Sequence, residues 1–200
     1  QAADHDTAEL IRRTEGWPTG LYLAALYLRE GGSLGTAAVS FGGDDRLVSQ
    51  YMEAEFLARI SVRHRMFLTR TAVLERMSGA LCEAVLEVPG SAATLAELSR
   101  SNLLLVPLDR RGVWYRYHHL FRDMLLTELE RHEPGLLSVL RGRAARWCLD
   151  NGRPEEALGY FMAAEDVGAV VRLVEQLALP AFRQARLTTI QRWFAWLDGY

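Results

Sequence analysis

The sequence predicts a mainly α-helical fold interrupted by one β-hairpin. Three observations carry this. Apolar residues recur at helical spacing through most of the 200 residues. One stretch, 103–118, instead carries two β-type runs around a glycine-containing turn. The composition, 50% hydrophobic and 24% charged with a net charge of −2, is that of a folded, water-soluble chain.

Between Thr7 and Glu30, Leu10, Ile11, Leu21, Leu23, Leu26 and Leu28 supply apolar surface, and Gly16-Trp17-Pro18 divides the stretch into two helices. Gly31 to Gly43 is rich in glycine and serine, nearly free of charge, and reads as a linker. Asp44 and Asp45 can cap a helix whose Val48, Met52 and Phe56 recur every fourth residue. Three shorter helices follow: Val62–Leu74, Ser78–Leu86 and Ser91–Ser101, the last with Ser91 and Thr94 to Glu97 arranged like a cap. Leu103–Leu108 and Val113–His118 then read as strands around the turn Asp109–Gly112, and His119–His132 as a helix. Three helices and a hairpin make a winged helix.

Beyond Glu133-Pro134-Gly135 helices alternate with tight turns. Leu136, Leu140, Ala144, Trp147 and Cys148 share one face, and Asn151-Gly152 with Pro154 ends one helix and opens the next. Ala157, Leu158, Phe161 and Met162 are expected to point inward. Val167, Val170, Val171, Val174 and Leu177 follow at helical spacing, and Ile190, Trp193, Phe194 and Leu197 form a last helix. Paired helices of this kind predict TPR-like helical repeats, with the array continuing beyond Tyr200. The domains expected are 1–43, an N-terminal helical piece with its linker; 44–132, the winged helix; and 133–200, the start of the repeats.

No apolar run approaches the ~20 residues of a membrane span, and no secretory leader opens the chain, so a cytoplasmic location is expected. Near-neutral charge removes the simplest case for a nucleic-acid binder. Cys82 and Cys148 are too few for a disulfide framework or a zinc site, and the 23 cationic side chains are all arginine.

Gly31-Gly32-Ser33-Leu34-Gly35 spells a hydrolase nucleophile elbow, but it lies in an uncharged loop after a helix rather than at a strand-to-helix turn. There is no phosphate-binding glycine loop of either common type, so the segment is not expected to be an enzyme by itself. His118 and His119 with Asp123 could be drawn as a metal cluster. Adjacent side chains are expected to diverge, however, and no ligand set completes the site, so no metal is expected. A histidine at a strand-to-helix junction is either an anion ligand at an electropositive helix N-terminus or a side chain satisfied by local hydrogen bonds. The candidate recognition helix Ser91–Ser101 sets Glu97 against Arg100, and Arg110 and Arg111 of the turn follow Asp109, a poor phosphate-binding footprint. Trp114, Tyr115, Tyr117 and Phe121 fit cross-strand and core packing.

Three stretches together resemble a known family. Thr14-Glu15-Gly16-Trp17-Pro18-Thr19-Gly20-Leu21 is similar to the Gly-x-Pro segment closing the nucleotide-binding module of STAND ATPases. Leu103–Leu108 with Trp114-Tyr115-Arg116-Tyr117-His118-His119-Leu120-Phe121 resembles the winged helix of MalT-type regulators, and Arg146-Trp147 through Asp166 resembles the first helical repeat of their sensor region. The resemblance implies the regulatory segment of an ATP-dependent, LuxR-type transcription regulator. Its ATP or ADP is held by the intact parent, and its DNA contact lies in a domain outside this segment. Implied partners are an upstream ATPase domain and an unidentified inducer or protein at the repeats, with signal-dependent oligomerisation. Carried over, Pro18 packs against adenine, His118 contacts ADP phosphates, and Arg116 is a weaker phosphate or interdomain contact. Tyr117-His118-His119-Leu120 is similar to the Met-His-Asp-Leu motif of plant immune receptors, with His119 in place of aspartate. The alternatives are the regulatory region of a serine/threonine protein kinase with the same module, or a protein-interaction scaffold.

Overall fold

The computed structural model describes residues 8, 11, 12, 14–29, 46–101 and 104–200. Its elements are α1 (Pro18–Arg29), α2 (Arg46–Glu55), a 3-10 turn at Leu57–Arg59, α3 (Val62–Thr71), α4 (Gly79–Leu86), α5 (Ser91–Arg100), β1 (Leu105–Pro107), β2 (Tyr115–Tyr117), α6 (His119–His132), α7 (Leu136–Asp150), α8 (Pro154–Ala163), α9 (Val167–Arg183) and α10 (Leu187–Leu197). The expected linker, the Ser33 motif, the Asp44 and Asp45 cap and Leu103 lie outside the described residues.

The winged helix is built as its sequence dictates. Ser61 caps α3 by accepting from the His64 amide, and Ser78 caps α4 by accepting from Leu81, each satisfying a first-turn donor that the helix itself cannot pair. Strands β1 and β2 pair antiparallel, Leu105 opposite Tyr117 and Pro107 opposite Tyr115. They are shorter than the apolar runs predict, and Met77 takes up the outer edge of β2 by exchanging 2.7 and 2.8 Å backbone hydrogen bonds with Tyr115. Asp109 folds the turn, its carboxylate accepting from the amides of Arg111, Val113 and Trp114. Leu68, Leu74, Met77, Leu81, Leu95, Leu98, Leu120 and Phe121 are closed off from solvent, each contributing about 1.5–3 kcal/mol of apolar burial. Inside this core the Tyr117 and Thr71 hydroxyls bond at 2.7 Å.

Helix α7 joins the halves by packing on α4; α8 packs on α7, α9 on α8 and α10 on α9. Arg143 reinforces the junction by donating to the Val85 carbonyl, and Arg76 by pairing with Glu156 at 2.7 Å. Trp114 is flanked by the Arg76 and Arg153 guanidinium groups, 5.6 and 4.6 Å from its ring. Cys82 and Cys148 are free and buried.

Some expectations are corrected. The N-cap of α5 is Gly90, at φ 91, with no side-chain cap. Its first amides are satisfied from outside, Glu83 accepting from both Gly90 and Ser91. Along α9 and α10 burial falls on Val170, Leu173, Val174 and Trp193, while Val171 and Phe194 are 39 and 49% exposed. Helix α9 also runs through Pro180 to Arg183, one turn and a half beyond the last predicted apolar position.

Candidate functional site

The chain before α1 ends in a turn that needs unusual backbone. Glu15 has φ 48 and Gly16 φ 71; the Gly16 amide reaches back to the Ile11 carbonyl at 3.2 Å, and that of Trp17 to Thr14 at 2.8 Å. Glycine takes the left-handed conformation freely, whereas glutamate pays for it, by about 1–3 kcal/mol in a site that over-determines it.

What holds Glu15 there is the strand-to-helix junction more than a hundred residues on. Arg116 of β2 grips the carboxylate with two parallel hydrogen bonds, at 2.9 and 2.8 Å, the bidentate fork that guanidinium geometry favours. His119 donates from Nδ1 to the same carboxylate at 2.8 Å. His118, the N-cap residue of α6, sets Nε2 at 3.0 Å from the Thr14 carbonyl oxygen. A carbonyl only accepts, so Nε2 carries the proton and Nδ1 of the neutral ring is the acceptor. The Trp17 indole packs against the His118 ring at 5.7 Å between centroids.

The carboxylate of Glu15 is 27% exposed. Burial alone would push its pKa up, but the hydrogen bonds from Arg116 and His119, the neighbouring His118 imidazole and the Arg116 charge outweigh it and hold the group at about 2. His118, 6% exposed, is driven the other way: burial holds its imidazole below the ordinary histidine range, against the Thr14 hydrogen bond and the Glu15 charge that favour protonation.

His118 and His119 do not diverge as expected. Their rings stack, 4.9 Å apart and 18° from parallel, because one is an N-cap in extended backbone and the other is the first helical residue, where strand alternation no longer applies. One ligand atom each from Glu15, His118 and His119 lies within 4.8 Å of the others. Both carboxylate oxygens already accept from Arg116 and His119, so a cation there would have to displace those bonds. Two nitrogens, His118 Nδ1 and His119 Nε2, are buried with no hydrogen-bond partner among the described residues.

Of the sequence-predicted residues, Arg116 and His118 therefore converge on the Thr14–Gly16 turn, and Pro18 lies at its exit as the exposed first residue of α1. Glu15, Thr14 and Trp17 complete the site and were not singled out from sequence. The left-handed Glu15-Gly16 turn was the one local signal available.

Residues 53–137 match the family described as the MalT winged helix domain. Over 92% of its length the chain is 31% identical to the serine/threonine-protein kinase PknK of Mycobacterium tuberculosis (strain ATCC 25618 / H37Rv), of which it covers 17%. Over 93% it is 31% identical to the HTH-type transcriptional regulator MalT of Serratia proteamaculans, and over 94% it is 29% identical to that of Yersinia enterocolitica, covering 21% of each. The chain thus spans about a fifth of the length of the curated relatives it matches. Three helices closed by a hairpin, the family match over those elements and the MalT relatives across nearly the whole length lead to one assignment: residues 53–137 are a MalT winged helix domain, within a segment similar to MalT-type regulators.

Proposed function

We propose that this chain is the regulatory segment of an ATP-dependent, LuxR/MalT-like transcription regulator, in which the winged helix latches the segment preceding α1 according to nucleotide state. The observation that carries this reading is the grip on Glu15 and Thr14 by Arg116, His118 and His119 across 101 to 104 residues of sequence. A strained turn is held by polar contacts from one junction, and polar contacts are easily exchanged for those of a ligand.

The residues fit an adenine nucleotide in part. Bound ADP supplies phosphate oxygens that accept hydrogen bonds. His118 has a buried Nδ1 without a partner among the described residues, which becomes a donor when the ring is protonated, and Pro18 is exposed for a flat ligand face. Arg116 is committed to Glu15, so its role is to hold the turn rather than to meet phosphate. A charge-assisted bond from His118 to an anion contributes about 1.5–3 kcal/mol, enough to move a two-state population by about tenfold or more. In the full-length protein, His118→Ala should release ADP at least about tenfold faster and raise basal transcription. Unchanged ADP retention together with unchanged basal output would refute the latch.

The equal match to PknK supports a second reading, the regulatory region of a protein kinase with the same module. Mass spectrometry of the intact parent chain separates the two: a phosphate-binding loop upstream with a helix-turn-helix downstream supports the regulator, and a kinase catalytic loop supports the other.

A further inference from the structure

Away from the Glu15 latch, and sharing no residue with it, a cleft of about 550 Å³ lies where the winged helix meets the helical array, lined by four arginines and three glutamates. The charges do not cancel locally. Glu155 is saturated by a bidentate pair with Arg186, which stands outside the lining. Glu156 is taken by Arg76 at 2.7 Å and by Arg153 at 3.4 Å. Arg192 lies close enough to Glu155 to act on its charge, which leaves Arg122 and Arg141, with Glu75 the one further acid of the lining.

These two cations are fixed and half-buried. Arg122 of α6 donates to the Ala72 and Val73 carbonyls at 2.9 and 3.4 Å. Arg141 of α7 donates to the Ala163 carbonyl at the end of α8, 2.6 Å away. Neither forms an ion pair among the described residues. Burial, and then the neighbouring Arg122 charge, hold the Arg141 guanidinium below its ordinary pKa; Glu130 and Glu165 offset only part of this. Two like charges are therefore kept together by backbone carbonyls from different elements, an arrangement that costs stability unless something negative stands between them. Tyr160 adds a donor on the same wall. Its hydroxyl accepts from the Glu75 amide at 3.4 Å, and burial keeps it protonated, so its own proton remains to be given. Trp193, 2% exposed, closes one side.

We propose that this cleft is a binding site for a phosphate oxyanion, the terminal group of a small phosphorylated molecule or inorganic phosphate itself, held between Arg122 and Arg141. A tetrahedral dianion matches two guanidinium groups lining one cleft in charge and in hydrogen-bonding capacity. Because Arg122 belongs to the winged helix and Arg141 and Tyr160 to the array, an anion there ties the two halves together.

The test is isothermal titration calorimetry of the full-length protein, saturated with ADP so that any nucleotide site is filled, using inorganic phosphate and glycerol 3-phosphate as separate probes. Wild-type protein should bind at least one probe saturably; tighter binding of the ester identifies a phosphorylated metabolite, and equal binding identifies free phosphate. Arg141→Gln should weaken binding about tenfold or more, the loss expected for a charge-assisted pair. Arg141→Lys, which keeps the charge and a donor for Ala163, should retain measurable binding. His118→Ala should leave it unchanged, which separates this site from the latch. No saturable binding in the wild type overturns the proposal. So does an affinity that survives Arg141→Gln, or one lost in His118→Ala but not in Arg141→Gln. Circular dichroism on each variant confirms folding, and Arg122→Gln replaces Arg141→Gln should the latter fail to fold.

Discussion

Glu15 combines a left-handed backbone with a carboxylate bonded to Arg116 and His119. Its ionisation is correspondingly easy. The ordinary value near 4.5 falls to about 2, so the folded form holds the anion more tightly than the unfolded chain does. A depressed carboxyl pKa stabilises fully above the unfolded value and loses that contribution as the pH falls through the folded one. The contact between the turn and the winged helix should therefore persist down to about pH 4.5 and weaken between there and about pH 2. A carbon-13 titration of the Glu15 carboxyl checks this; a midpoint at or above 4 would show that Arg116 and His119 do not hold it in solution. His118 works in the same direction, since an imidazole kept below its ordinary pKa also disfavours acid. The residue scale is where sequence was least informative. His118 was legible because a strand-to-helix junction is a local pattern. Its partner Thr14 and the neighbouring Glu15 sit 104 residues from His118 and His119, and no spacing rule reaches that far in one sequence.

At the scale of elements, local signals decided well where the chain satisfies itself. The helix after the hairpin runs from His119 to His132 as read, and Ser61, Ser78 and Asp166 cap as small polar residues do. The cap of α5 was misread because its acceptor, Glu83, belongs to the preceding helix. Periodicity likewise located α9 and α10, but not that Val171 and Phe194 stay exposed, since a stripe of spacing is blind to which of its edges a neighbour covers. Helices α4 and α5 meet at Gly79, where an added Cβ would stand 2.7 Å from the Ala92 Cβ and 3.0 Å from its Cα. Backbone cannot rotate away as a side chain can. Gly79→Ala should lower stability by about 1–3 kcal/mol despite alanine's better helix propensity, read as an earlier midpoint in urea. An unchanged midpoint would mean that α5 gives way without cost.

Across the whole molecule a single continuous core runs from α1 through the winged helix to α10, so the two halves are joined by packing as well as by ion pairs. The mainly helical class and the winged helix were legible because hydrophobic spacing and the hairpin's turn chemistry are local. The polar part of the junction between halves was not, because it is made of arginines that look like solvated surface in a sequence.

One buried pair of atoms makes that junction observable. Cys82 lies in α4 and Cys148 in α7, and burial raises the two thiols to about 12 and about 11. At neutral pH neither is a nucleophile while the fold is closed, since only an accessible thiolate attacks. Alkylation is then a stopwatch set into each half. Where maleimide is concentrated enough for alkylation to outpace reclosing, the modification rate at each thiol should equal the rate at which its own helix comes away, and peptide mapping reads the two clocks separately. Matching rates would mean that the halves open as one body; a faster Cys148 would mean that the array loosens first while the winged helix stays shut.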